Sequence, residues 1–157
     1  IFKIFFATIF FFLLVNNLQS KESIIGTAKV IDGDTIHIQK NKIRLHGIDS
    51  PEQKQKCTIN KKKWNCGKKA TEFLKNLIKN KLVKCKIKDI DKYNRFIAIC
   101  FVEEININKT IVRSGWGIAY RYYSKDYVNE ELIAKENKLG IWKGQFEEPY
   151  LFRKNNK

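Results

Sequence analysis

The sequence predicts a mainly β domain with flanking helices, in which five strands close into a small antiparallel barrel with about three helices around it. Three observations carry this. Short runs rich in Val, Ile and Phe alternate with turn residues in the order three strands, helix, two strands, helix, helix. Gly67–Asn80, between the two strand groups, carries a long apolar stripe of helical period. The 157 residues show no internal repeat and no long linker, and suit one domain with a substantial core.

Each element has its own signal. Ser23–Ile31 is the first strand, with Gly26 marking a bulge or bend. Thr35–Gln39 and Ile43–Ile48 pair across the polar Lys40–Lys42. Glu52–Asn65 reads as a polar loop with five lysines and no period. In the first helix, Ala70, Phe73, Leu74, Leu77 and Ile78 fall on one face. Leu82–Lys88 and Phe96–Val102 form a second hairpin across DKYNR, where Asn94 suits the left-handed conformation of a tight turn. Ile107–Ser114 is a short helix stopped by Gly115, and WGIAYRYY is extended or irregular. Asp126–Leu139 is the last helix, with Gly140 as its cap and Ile141–Trp142 packing back on the body. A small barrel of the OB type satisfies this order, and such barrels often bind oligonucleotides.

The charge is lopsided, with 31 Lys and Arg against 16 Asp and Glu, a net of +15. That surplus favours a polyanionic partner, nucleic acid or an anionic membrane surface, over a merely solvated lysine face. His37 and His46 stand alone, which argues against a zinc or imidazole-based site. At the N-terminus Lys3 precedes the apolar Ile4–Val15, too short to cross a bilayer core but suited to a signal peptide over residues 1–20. An uncleaved anchor is the alternative; residues 21–157 would then be the single domain, exported or held at a membrane through that segment only.

Four cysteines fit export. Cys57 and Cys66 bracket the lysine-rich loop, while Cys85 and Cys100 flank the DKYNR turn nearly symmetrically. These positions favour the pairs 57–66 and 85–100 among three connectivities. A four-cysteine metal site is the rival, but the spacings lack close pairs.

The stretch Val30–Glu52 holds the chemistry. Asp34, Asp49 and Glu52 flank its two strands, and Arg44 lies on the second. Oxygen ligands beside an arginine suit a divalent cation facing a phosphate; an ordinary hairpin with charged ends is the plainer reading. Five pieces in order, IDGDT at 31–35, IRLHGIDSPE at 43–52, DKYNR at 91–95, AYRYY at 119–123 and LGIW at 139–142, resemble the staphylococcal nuclease family. The resemblance implies an OB barrel that hydrolyses DNA and RNA with calcium, acting as a monomer. Position by position it implies Asp34 and Asp49 as calcium carboxylates and Ser50 as a backbone-carbonyl ligand. Glu52 would activate water, Arg44 and Arg95 would hold the scissile phosphate, and Tyr120 and Tyr122 would line the nucleotide pocket.

Two departures are mild: Asn94 replaces the usual turn glycine, and Ser50 replaces threonine but serves through its backbone. The Cys57–Cys66 loop is the larger one, since it could reposition Glu52. Plainer roles remain for Arg95, as a partner of Asp91, and for Tyr122, as a core aromatic. Asp32 reads as a turn residue or an outer metal partner. A non-catalytic nucleic-acid-binding OB module is the competing function, although binding alone needs no acids near phosphate. A cationic membrane-active protein is the third reading.

Overall fold

Alternation of inward and outward side chains builds the barrel strand by strand in the computed structural model, which describes residues 22–156. The expected leader over residues 1–20 lies outside the described residues. Strand β1 (Ser23–Val30) pairs antiparallel with β2 (Thr35–Ile38), which turns into β3 (Asn41–Leu45) with Thr35 opposite Arg44. On its other side β1 pairs with β7 (Leu82–Ile90), which in turn pairs with β8 (Phe96–Val102). Strand β3 then runs parallel to β8, Ile43 opposite Phe96 and Leu45 opposite Ala98, and this contact closes the five strands into a barrel.

Every second residue points in. Ile36, Ile38, Ile43, Leu45, Val83, Cys85, Ala98, Cys100 and Val102 are all buried in one core. Gly26 sits opposite Val83 in regular register, so it marks no bulge. Its cause is space: a Cβ there would stand 2.7 Å from Ile38 Cγ2. Cys85 lies directly opposite Cys100 across the hairpin, and the second bond joins Cys57 to Cys66, the two expected pairs. Asn94 takes φ +58° at the turn, as its short polar side chain allows.

The segment expected as a featureless loop contains a small hairpin, β5 (Cys57–Ile59) and β6 (Lys62–Trp64), preceded by β4 (Ile48–Asp49). Helix α1 (Cys66–Ile78) buries Ala70, Leu74 and Ile78 against the barrel; removing a buried leucine such as Leu74 costs about 2–5 kcal/mol. Beyond β9 (Ile105–Asn106), helix α2 (Ile107–Arg113) begins with the Asn106 side chain accepting the Lys109 N–H. Asn108 on this helix is fully buried and accepts from Cys100 N while donating to His46 and Ala98 carbonyls, which ties α2 to the seam of the barrel.

Strand β10 (Ile118–Ala119) pairs with β4 and is followed by α3 (Val128–Glu136). This helix starts two residues after, and ends three before, the span its pattern suggests. Gly140 is therefore not its cap. It packs on Gly115, where a Cβ would collide with the Gly115 carbonyl, and opens a 3-10 turn over Gly140–Lys143. A second cluster of Cys57, Cys66, Ile118 and Ile141, ringed by Trp64, Trp116, Trp142 and Phe146, holds this side together. A fourth helix, α4 (Pro149–Asn155), lies beyond the elements expected from the sequence. Among the described residues no helix is long and apolar enough to cross a membrane.

Candidate active site

The turn between β1 and β2 sets the first acid. Asp32 Oδ1 accepts the Asp34 N–H at 3.0 Å, and this bend directs Asp34 towards β4. There Asp34 Oδ2 accepts the Ser50 N–H at 2.8 Å, while Ser50 Oγ donates to the Gly33 carbonyl at 3.1 Å. The two segments pack so closely that a Cβ on Gly33 would stand 2.7 Å from Ser50 Cβ. Glycine is the residue that permits this approach.

Arg44, facing Thr35 across the hairpin, joins the acids. Its Nη1 pairs with Asp34, and its Nη2 donates to Asp49 Oδ1 at 3.0 Å and to the Ile48 carbonyl at 3.3 Å. Asp49 is fully buried and Asp34 nearly so. Burial pushes the Asp34 carboxyl up, but the Arg44 charge and hydrogen bonds, with the Ser50 N–H, outweigh it and hold Asp34 below the usual carboxylate range. At Asp49 burial and the Asp34 charge prevail over Arg153 and Arg44, so its carboxyl is pushed up. Asp32, half-buried beside the Asp34 charge, is raised to about 7 by that partial burial and by the Asp34 charge. Adjacent acids driven apart in this way are a frequent mark of a working site.

Glu52 sits at the mouth, half-buried. Its N–H donates to Gln55 Oε1 at 3.2 Å, and its carbonyl accepts the Gln55 N–H at 2.7 Å. Helix α1 presses on the same carbonyl through Gly67, where any Cβ would collide with it. The Cys57–Cys66 disulfide ties the ends of the intervening hairpin, and Glu52 lines the same cleft as Asp34 and Arg44.

A cleft of about 1280 Å³ gathers Asp34, Arg44, Glu52, Arg95 and Tyr120. Arg95 is there as the partner of Asp91: Nε and Nη2 both lie 2.8 Å from Asp91 Oδ2, on the cleft wall. Tyr120 is half-buried, its N–H donating to the Gly47 carbonyl at 2.9 Å. Tyr122 is 83% exposed and so not a core aromatic. It lines a smaller hollow next to Asp49, with Tyr120 and Tyr150 as the shared wall. Tyr123 completes an edge-to-face cluster, 5.1 Å from Tyr120 and 4.9 Å from Tyr122 between ring centroids. Ser50 lines neither space and lies behind Asp34.

Three functional neighbours have no counterpart among the residues expected from sequence. Buried Glu131 accepts the Ala119 N–H at 3.2 Å and so steadies the strand that ends in the tyrosines. Gln55, fully buried, links the Glu52 loop to the Glu147 carbonyl at 2.7 Å. Arg153, on α4, donates through Nη1 to Asp49 Oδ1 and to Glu52 Oε1, each at 2.8 Å, and through Nη2 to Asp49 Oδ2 at 3.2 Å. The available signal was Glu148–Pro149, an acid and a proline at a helix start.

The donors that could hold a metal are all oxygen, the buried carboxylates of Asp34 and Asp49, and that chemistry fits a hard cation such as calcium. Among the described residues no three His, Cys, Asp or Glu side chains close on one another as a ready-made cage. The guanidiniums of Arg44 and Arg153 pair with these acids instead.

A profile of staphylococcal nuclease homologues matches residues 42–144. Similar proteins include the succinoglycan biosynthesis protein ExoI of Rhizobium meliloti, 31% identical over 137 residues, which cover 85% of this chain and 72% of that protein. An uncharacterized endonuclease of Haemophilus influenzae is 29% identical, covering 83% and 72%. A micrococcal nuclease of Shigella flexneri is 29% identical, covering 82% and 79%. A profile matched from β3 through β8 and on to residue 144, about two thirds of the chain, on a closed five-stranded barrel, means that the chain belongs to the staphylococcal nuclease family.

Proposed function

We propose that the protein is a calcium-dependent, sugar-nonspecific endonuclease that hydrolyses phosphodiester bonds of DNA and RNA. The observation that carries this is the coupling of Asp34, Arg44 and Asp49 in one buried cluster, opening on a basic cleft that also holds Glu52 and Arg95. Relatives named as an endonuclease and a micrococcal nuclease support the same chemistry. Two disulfides suit an oxidising compartment, and export through residues 1–20 belongs to the proposal.

Each residue has a task in this reading. Asp34 and Asp49, with the Ser50 carbonyl, would hold calcium, which when bound supplies positive charge to a phosphate oxygen as the transition state gains charge. Glu52, reachable from solvent at the cleft mouth, takes a proton from the attacking water. The guanidinium of Arg44 donates to the non-bridging phosphate oxygens, and Arg95 does so on leaving Asp91. Tyr120 and Tyr122 offer bases a stacking face that reads no sequence, which suits a nuclease indifferent to base.

Incubating the purified protein with plasmid DNA and with RNA, in calcium and in chelator, tests the reading. Cleavage of both substrates in calcium and of neither in chelator is the expected result, with magnesium a poor substitute because it demands stricter geometry. Tight binding without cleavage in either condition would assign the protein to capture instead.

A further inference from the structure

The acids assigned to the cation already have a cation. Arg153 spans both oxygens of Asp49 and one of Glu52, while Arg44 spans Asp34 and Asp49. Two guanidiniums therefore meet the charge of three carboxylates. Arg44 is built into the barrel wall, with a side chain only 12% exposed. Arg153 is not. Its side chain is 34% exposed and comes from a seven-residue helix in which Pro149 is the one buried residue. Besides the guanidinium, the approach to this helix is tied down by the Gln55 bond to the Glu147 carbonyl. So short a helix has little intrinsic stability and lies at the easily opened end of the structure.

A carboxylate offers few lone pairs, and Asp49 Oδ1 already accepts from both Arg44 and Arg153. A divalent ion beside the same oxygens would also repel a guanidinium a few ångströms away. We propose that Arg153 is a tethered counter-cation that competes with the divalent cation for Asp49 while also holding Glu52, so that helix α4 determines cation affinity and leaves both acids when the cation binds. This rests on the metal reading above. It adds a consequence for Glu52: the carboxylate that is to take a proton from water stays occupied until the cation arrives, which couples metal loading to release of the base. By linkage, whatever factor Arg153 costs the cation, the cation costs Arg153.

The test measures calcium binding to the full chain by titration calorimetry for the parent, Arg153→Gln and Arg153→Lys, together with hydrogen exchange over residues 147–156 with and without calcium. Coupling between competing ligands is commonly 5–150-fold, so Arg153→Gln is expected to bind calcium roughly tenfold more tightly. Arg153→Lys, which keeps the charge, should stay closer to the parent. In the parent, calcium should speed exchange across α4. Equal or weaker calcium binding by Arg153→Gln, with binding still measurable, overturns the competition and leaves the metal reading standing. No calcium binding by any of the three removes the metal reading and the competition with it. Should Arg153→Gln fail to fold, the exchange measurement on the parent decides: faster exchange with calcium supports the proposal, and unchanged or slower exchange overturns it.

Discussion

Asp34 and Asp49 are both buried, yet their carboxyls are displaced in opposite directions because their partners differ. Asp34 has Arg44 and a backbone N–H, while Asp49 bears the repulsion of Asp34 with less complete compensation. A second positive charge therefore has a place beside Asp49, and the structure puts Arg153 there. Glu52 differs from both in being a third exposed on its side chain, which the proposed proton transfer from water requires. Replacing Glu52 by Gln keeps its size and removes its basicity. Single-turnover cleavage in calcium should fall by ~10²–10⁴-fold, the usual worth of a positioned proton transfer. Affinity for a short oligonucleotide should hold or rise slightly as a negative charge leaves the phosphate site. A variant that cleaves as fast as the parent would move the base role elsewhere.

At the scale of elements, two contacts couple local folding to the site. Helix α1 begins on Cys66 and Gly67, and the absence of a side chain at Gly67 lets the Glu52 carbonyl lie against it. Gly67→Ala must shift either the helix start or the Glu52 loop, so cleavage should fall by about tenfold or more if positioning matters, while the barrel's circular dichroism is kept. The second contact is the β7–β8 turn. Asp91 Oδ1 accepts the N–H groups of Tyr93 and Arg95, each at 2.9 Å, and Oδ2 takes the Arg95 guanidinium. Burial would raise this carboxyl, but the Arg95 N–H, guanidinium and charge, with the Tyr93 N–H, bring it below the usual range. A folded value below the unfolded one means that the stabilisation is complete above about pH 4 and is lost as pH falls through the folded value. The stability gap between the parent and Asp91→Asn should accordingly be constant near neutrality and shrink in acid. Urea titrations from about pH 6 to about pH 2.5 measure it, and a gap that widens in acid contradicts the assignment.

For the whole molecule the governing quantity is the net charge of +15. Lys42, Lys88, Lys92 and Lys154 join the arginines along the cleft, so basic side chains outnumber acids on its walls. Affinity for an oligonucleotide in chelator should fall steeply with salt, with a slope of about −0.7 per phosphate neutralised on a single strand in a plot of log K against log salt. Filter binding between roughly 50 and 200 mM salt measures it. A flat dependence would place the affinity in apolar contacts with bases instead.

The five barrel strands, the long first helix and both disulfide pairs were legible in the sequence because their signals are local: alternation along β2, β3 and β7, an apolar run at β8, a helical stripe from Ala70 to Ile78, and turns at Gly33 and Asn94. The site was legible where it is built from neighbours, as with Asp34, Arg44, Asp49 and Glu52 around a single hairpin. Strands of two or three residues such as β4, β5 and β10 show no period, and α4, unlike the equally short α2 with Gly115 behind it, has no glycine stop to mark it. The short strands form because each finds another as its partner, β10 with β4 and β5 with β6. What only the tertiary structure decided is which distant groups meet. Arg153 reaches Asp49 across 104 residues, Gln55 reaches the Glu147 carbonyl across 92, and Asn108 ties α2 to the barrel seam at His46. The physical reason is that a buried carboxylate must be neutralised by whatever cation the packing brings within reach, and no local pattern in a chain names that partner.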